Sequence, residues 1–334
     1  MDELQSLVDD LGRRSVEARL GARGFPDAFD GQLWGNLEQA GLTRLSNDDD
    51  AGPAAAAVVL AGVAKHAGAV PIAETDLLAT WLASAAGVTV PDDGPLTVAL
   101  ADAELRDGRV VGTARDVPWP RATVLLAART AGGLHVAVTE PGDLVEGHNI
   151  GGEPRGTFSF DVADAVTVDA RVADELVRRG AWARCVQTLG AFEAARDLTV
   201  AHTGERVQFG RPLRAFQAVQ HSLAAMAGEI ERARAATALA IAAAADHGFD
   251  SPATEYAVTV AKVAVGRAVT PVTTIAHQLH GAIGVTVEHR LWLATMRARA
   301  WADEFGSPGH CARRLGRMVL AADDPWDVIV SGPA

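Results

Sequence analysis

Apolar positions recur at helical spacing at both ends of the chain and at strand spacing in the middle. Leu33, Trp34, Leu37 and Ala40 form one stripe, which Gly41 ends. Residues 54–66 are apolar nearly all round, which predicts a helix buried between neighbours. Residues 75–86, introduced by Pro71, read as a third helix. Farther on, Val219, Leu223, Met226 and Ile230 step by 4, 3 and 4, and strong helix formers continue over 233–245. Gly248 and Ser251-Pro252 close that helix, and the next is expected over 253–279. Pro271 inside it removes one backbone hydrogen bond and predicts a kink. A loop at 280–284 leads to a last long helix at 290–304.

The middle of the chain has a different period. Leu96–Leu100, Thr123–Ala127 and Leu134–Thr139 are short β-rich runs, with further ones at 88–90, 156–160 and 165–168. Turn signals separate them: Asp92-Asp93-Gly94-Pro95, Asp107-Gly108 and Gly132-Gly133. The pattern predicts a small antiparallel β domain of five to seven strands. It divides the chain into a helical domain at 1–88, a middle β domain at 89–170 and a helical bundle at 171–334.

With 334 residues, 49% hydrophobic and 22% charged, the chain can bury a sizeable core, which excludes wholesale disorder. A net charge of −12 argues against a nucleic-acid partner held by the whole surface. Cys185 and Cys311 make no disulfide framework, and Met1 leads into Asp2-Glu3 with no secretory pattern, so a cytoplasmic protein is expected. The longest nearly uncharged apolar run, 51–64, is shorter than the ~20 residues of a membrane span, so none is expected. Signatures of phosphate-binding loops, zinc proteases and serine hydrolases are absent. His277 and His280, near His289, lack the carboxylate or cysteine a metal site usually adds, and helix-end histidines explain them.

Arg206-Val207-Gln208-Phe209-Gly210-Arg211-Pro212 stands out. Pro212 suits a first helical turn and Gly210 a tight link, so a helix–helix corner accounts for part of it. Two arginines flanking a glutamine are left over, and arginine forks match pyrophosphate oxygens. This segment, with Phe216-Gln217-Ala218-Val219-Gln220-His221, resembles the acyl-CoA dehydrogenase family. So does Gln278-Leu279-His280-Gly281-Ala282-Ile283-Gly284 with Glu288-His289 beyond, and Pro71-Ile72-Ala73-Glu74-Thr75 is similar to the family's N-terminal helical domain.

The resemblance implies a mostly α fold with a small β-barrel-like middle domain and a C-terminal four-helix bundle. It implies FAD as cofactor, an acyl-CoA substrate that loses its α and β hydrogens, and an electron-transfer acceptor. By the same resemblance Arg206 matches the arginine on the FAD pyrophosphate, generally of a neighbouring subunit. Gln208 and Phe209 match its companions at the flavin, and Phe216 and Gln217 a further contacting pair. Gln278, Gly281 and Ala282, the last in place of a more usual second glycine, match the loop at the adenosine half of a partner's FAD. For Phe209 and Phe216 core packing remains the competing reading. A homo- or hetero-oligomer, dimer or tetramer, is implied.

The sequence departs from the family at the base. A glutamate before a glycine is usual after the last long helix, but Phe305 precedes Gly306, and Glu304 matches only with a one-residue shift. The alternative positions on the preceding long helix are Gly180 and Gln187, neither a base. Glu304 is the one catalytic candidate; a surface acid at a helix end is the other reading of it. The loop that usually covers the flavin before Leu105 is shortened, and Thr139-Glu140-Pro141 reads as a later hairpin. Three functions stay open: an active FAD-dependent dehydrogenase, a catalytically degenerate subunit lending FAD contacts to another chain, or a helical scaffold. The chain also resembles short bacterial subunits of heterotetramers acting on steroid side-chain CoA esters.

Overall fold

The computed structural model describes residues 1–19, 24, 26–46, 52–287 and 289–332. Three N-terminal helices, α1 (Asp2–Ala18), α2 (Gly31–Gln39) and α3 (Gly52–Lys65), precede a π-helix (Glu74–Thr80) that runs into α4 (Trp81–Ala86). Strands follow: β1 (Leu96–Arg106), β2 (Arg109–Pro118), β3 (Thr123–Thr130), β4 (Gly133–Thr139), β5 (Val145–His148), β6 (Pro154–Val162) and β7 (Val166–Val168). The chain then returns to helix with α5 (Arg171–Glu205), α6 (Gln217–His247), α7 (Pro252–His280), α8 (Arg290–Asp303), α9 (Pro308–Ala321) and α10 (Pro325–Ser331). The architecture is a set of helices around a central mixed sheet.

The apolar circumference of α3 has the consequence expected of it. Ala56, Val59, Leu60 and Val63 are all buried, in one core with Leu37, Trp182, Phe192 and Val272. The crossing of α3 on α5 is close because Gly190 has no side chain: a Cβ there would overlap the carbonyl oxygen of Ala61. Gly190→Ala is therefore expected to cost about 1–3 kcal/mol, although alanine is the better helix former. A fall in the thermal unfolding midpoint checks this, and an unchanged midpoint would mean that the two helices slide apart freely.

Four differences from the sequence expectation have physical causes. The helix expected at 75–86 is a π-helix in its first half. Thr75 Oγ1 is pinned to both the N–H and the C=O of Leu96, at 2.9 Å each, while Thr80 Oγ1 bonds back to the Thr75 carbonyl five residues earlier at 2.8 Å. The run at 88–90 forms no strand. The sheet is mixed, because β1 pairs parallel with β3 over Leu96–Asp102 and antiparallel with β2 over Ala103–Arg106. One long strand thus joins two half-sheets in the order β5-β6-β2-β1-β3-β4-β7. Residues 140–144 close no hairpin, since β4 pairs with β3 and β7 while β5 pairs with β6.

In β3, Leu125 and Ala127 face the main core, while Val124, Leu126 and Ala128 face a second core with Phe158 and Phe160. The sheet is therefore held from both sides. The α-helix of α7 continues through Pro271. The stretch Pro252–Val285 is long and apolar enough to span a membrane by length and composition. Here Val258, Val265, Ala268, Val272 and Ala276 are buried in the common core, and Lys262 lies buried on the same helix. The helix over 290–304 is not the last long one, since α9 follows it, started by Ser307-Pro308 with the serine side chain accepting from His310 N.

Candidate functional site

The two unusual sequence segments meet at one end of the bundle. Arg206 ends α5, its N–H bonded to the His202 carbonyl at 2.9 Å. Val207–Gln208 and Arg211–Pro212 then pair as a two-strand hairpin with Phe209 and Gly210 at its tip, both at positive φ (52° and 78°). Phe209 is 92% exposed, which the core-packing reading of it did not anticipate. Its ring meets Phe216 edge-on at 6.1 Å, and the Arg211 guanidinium covers the Phe216 ring at 4.1 Å. Across from the hairpin, α7 ends in a 3₁₀ turn over Gly281–Val285. His280 on α7 stacks on His202 of α5, with ring centroids 4.5 Å apart, and this contact brings the hairpin and the turn together.

Seven of the eight residues predicted to face the cofactor are exposed there: Arg206, Gln208, Phe209, Gln217, Gln278, Gly281 and Ala282, with Phe216 partly covered. Val207, Ile283, Val285 and Val287 are exposed with them. Among the described residues the Arg206 and Gln278 side chains have no hydrogen-bond or ion-pair partner. The end of the bundle thus presents free donors, an aromatic pair and apolar side chains to whatever covers it. Glu288 of the same motif lies outside the described residues.

The candidate base lies in a different setting. Glu304 follows α8, and its two oxygens are taken by Arg155 Nη2 (2.5 Å) from β6 and Arg184 Nε (2.6 Å) from α5. Arg184, 2% exposed, also donates to Glu74 at 2.6 Å and to Gln187 at 2.6 Å. Glu74 reaches it from the π-helix, which turns that side chain inward. Arg155 lies 3.6 Å from Glu153, which accepts from Trp301 Nε1 at 2.9 Å. Lys262 Nζ donates to the carbonyls of Ala302 (2.8 Å) and Glu304 (2.7 Å), closing the C-terminal end of α8. With Asp116 3.8 Å from Arg155, four carboxylates and three cations thus form one cluster joining both helical parts to the sheet.

Electrostatics follow from this pairing. Burial pushes the Glu304 carboxyl upward, but the two guanidiniums outweigh it and hold it at about 2. Arg184 is raised by the same carboxylates against its own burial, and burial lowers Lys262. Phe305, at φ +55°, lays its ring against α5 where Gly180 has no side chain, 2.5 Å from where a Cβ would stand. All three positions considered for a base, Glu304, Gly180 and Gln187, therefore converge on one place. None offers a free carboxylate: Glu304 is doubly paired, Gly180 is covered, and Gln187 is bonded to Arg184. The cavity beside Phe305, walled by Leu78, Val98, Leu100 and Leu176, holds about 120 Å³. Sites for small molecules begin near ~300 Å³.

Trp119 is buried at φ +49° with its ring edge-on to Phe29. Sequence reading missed Glu153, Arg155, Arg184 and Lys262, and met Glu74 only as part of a motif. Lys262 had a signal, being one of two lysines and lying on an otherwise apolar helix. The others are joined by contacts 110 to 149 residues apart.

The sequence pattern of the family described as acyl-CoA dehydrogenase, C-terminal domain, matches residues 170–307. Acyl-CoA dehydrogenase IpdE2 of Mycolicibacterium smegmatis is 28% identical over 319 residues, 92% of each chain. A solved Tcur3481–Tcur3483 steroid ACAD variant superposes with a TM-score of 0.85 at 25% identity, covering 96% of this chain and 97% of that one. The ChsE4–ChsE5 complex of Mycobacterium tuberculosis shares the fold, with a TM-score of 0.81 at 23% identity over 96% of this chain and 97% of that one. The agreement extends from the helical N-terminus through the sheet to the bundle: the chain is similar to acyl-CoA dehydrogenases over nearly its whole length, and residues 170–307 carry the sequence pattern of that family's C-terminal domain.

Proposed function

We propose that this chain is the cofactor-sharing subunit of a heteromeric acyl-CoA dehydrogenase whose catalytic base stands on another chain. The observation that carries this reading is the state of Glu304. A general base must be free to take a proton and is most effective with a pKa near the working pH. Glu304 is held at about 2 by two guanidiniums, and the space next to it is filled by Phe305. Its role is to bind the sheet to the bundle.

The exposed bundle end fits FAD. Arg206 supplies a fork for the pyrophosphate, Gln208 and Gln278 supply amide donors and acceptors, and Phe209 and Phe216 supply an aromatic wall. When bound, FAD accepts the hydride that leaves the β carbon of an acyl-CoA thioester as the α proton is removed. This chain's part is to fix the cofactor from one side and, through Val207, Phe209 and Ile283, to exclude water from it. The substrate belongs to the partner's cleft; a steroid-derived CoA ester fits the similarity to a steroid ACAD complex. Electrons leave to an electron-transfer acceptor.

Visible absorption of the purified chain, alone and co-expressed with acyl-CoA dehydrogenase-like candidate partners, tests this. The lone chain is expected to be colourless, and the assembly yellow. A yellow lone chain that oxidises an acyl-CoA would overturn the reading in favour of a self-sufficient enzyme, and Glu304 would then have to release its arginines during turnover.

A further inference from the structure

Three imidazoles from three elements meet beneath the exposed bundle end. His202 comes from α5, His280 from the last turn of α7 and His289 from the start of α8; their rings lie 4.5 and 5.1 Å apart, with His280 in the middle. We propose that His280, stacked on His202 and edge-on to His289, is a positioning residue that holds the Arg206 hairpin and the Gln278–Ala282 turn in register, and does so only while its own ring is uncharged. This rests on the cofactor-sharing role proposed above, because the two segments it joins are the two that would face FAD.

The hydrogen bonds require the neutral forms. His280 Nδ1 lies 2.8 Å from the Ala276 carbonyl, so it carries the proton. Its Nε2 is buried with no partner among the described residues. A proton added there would have neither water nor an acceptor. His289 accepts the Leu291 N–H on Nδ1 at 3.1 Å, which caps α8, and protonation of that nitrogen would remove the cap. Among the described residues the titratable groups acting on His280 are bases: His202 from α5, His289 from the start of α8 and His277 one turn back on α7. Arg290 acts in turn on His289. The Gly281–Val285 turn brings no titratable group, and Glu205, beyond His202, is exposed.

Burial first, and then these neighbours, hold His280 down at about 4 against an ordinary 6.5. The parted segments therefore take up more protons than the packed ones between pH 6.5 and 4. Packing is complete above 6.5 and weakens as the pH falls through that window. Each pKa unit of depression corresponds to about a tenfold weakening once the ring is protonated.

Amide hydrogen exchange of the full chain, corrected for intrinsic rates, reads this directly. From pH 7.5 to 5, peptides covering 203–212 and 279–287 are expected to lose about thirtyfold protection together, while the α3 peptides keep theirs. His202→Phe keeps an aromatic ring on His280 but removes one of the groups that hold His280 down, and is expected to make the loss at pH 5 smaller. His202→Ala removes the stack and should expose both segments already at pH 7.5. Unchanged protection down to pH 5, or loss in one segment without the other, would overturn the proposal. Flavin retention at pH 8 by the assembly is measured in parallel: an assembly that binds no flavin there refutes the cofactor role, whereas the exchange result judges the histidines independently.

Discussion

Arg184→Met is expected to lower the stability of the chain by about 3–5 kcal/mol, the range found when one partner of a buried ion pair is removed. The guanidinium is enclosed and holds two carboxylates, Glu74 and Glu304, and the amide of Gln187. Methionine fills much of the volume but leaves Glu74 buried without its cation and Glu304 with Arg155 alone. The urea midpoint, followed by the fluorescence of the buried Trp182 and Trp301, measures the loss. The double variant Arg184→Met with Glu74→Gln should regain part of it, because the stranded Glu74 charge is gone. A single variant within 0.5 kcal/mol of the parent would show that the cluster is dispensable.

The same pair predicts a pH dependence. Glu304 has its pKa lowered from 4.5 to about 2, so its stabilisation is complete above 4.5 and is lost as the pH falls toward 2. The gap between the parent and Arg184→Met should narrow over that interval. Asp76 has the opposite sign. Burial lifts it to about 6, against hydrogen bonds from Ser46, so its contribution falls as pH rises through 6. Asp76 keeps its setting in both proteins and cancels from the comparison.

Local chemistry made much of the fold readable. The stripes at Leu33–Leu37 and Val219–Ile230 lie on helices, and Ser251-Pro252 starts α7 with the serine oxygen accepting from Thr254 N. The Arg206 and Gln278 segments were visible because their residue types have no use at an ordinary corner. What stayed hidden depended on distance along the chain. The parallel pairing of β1 with β3 and the π-helix at Glu74 are set by contacts with Leu96 and with the sheet, not by local preference. Glu304 shows the limit most clearly. Read alone it is an acid at a helix end, fit to be a base or a surface charge. Arg155, 149 residues away, and Arg184, 120 residues away, take up both of its oxygens, which no local reading of the sequence could foresee.

Arg206→Ala should have the largest effect on cofactor binding while leaving the chain itself intact. The side chain is exposed and has no partner among the described residues, so its loss should change stability by no more than about 0.5 kcal/mol. A charge-assisted, two-pronged contact to a pyrophosphate is worth roughly 1.5–3 kcal/mol, which corresponds to about 10- to 100-fold weaker FAD retention by the assembly. Arg206→Lys keeps the charge but not the fork and should recover only part of it. The ratio of flavin absorbance to protein after gel filtration gives the occupancy, and the urea midpoint gives the stability. If occupancy falls while the midpoint holds, the guanidinium acts on the cofactor. If both fall together, Arg206 braces the hairpin, and the cofactor role passes to Gln208 and Gln278. If neither moves, FAD lies elsewhere, and the exposed Phe209, Ile283 and Val285 mark a surface for protein alone.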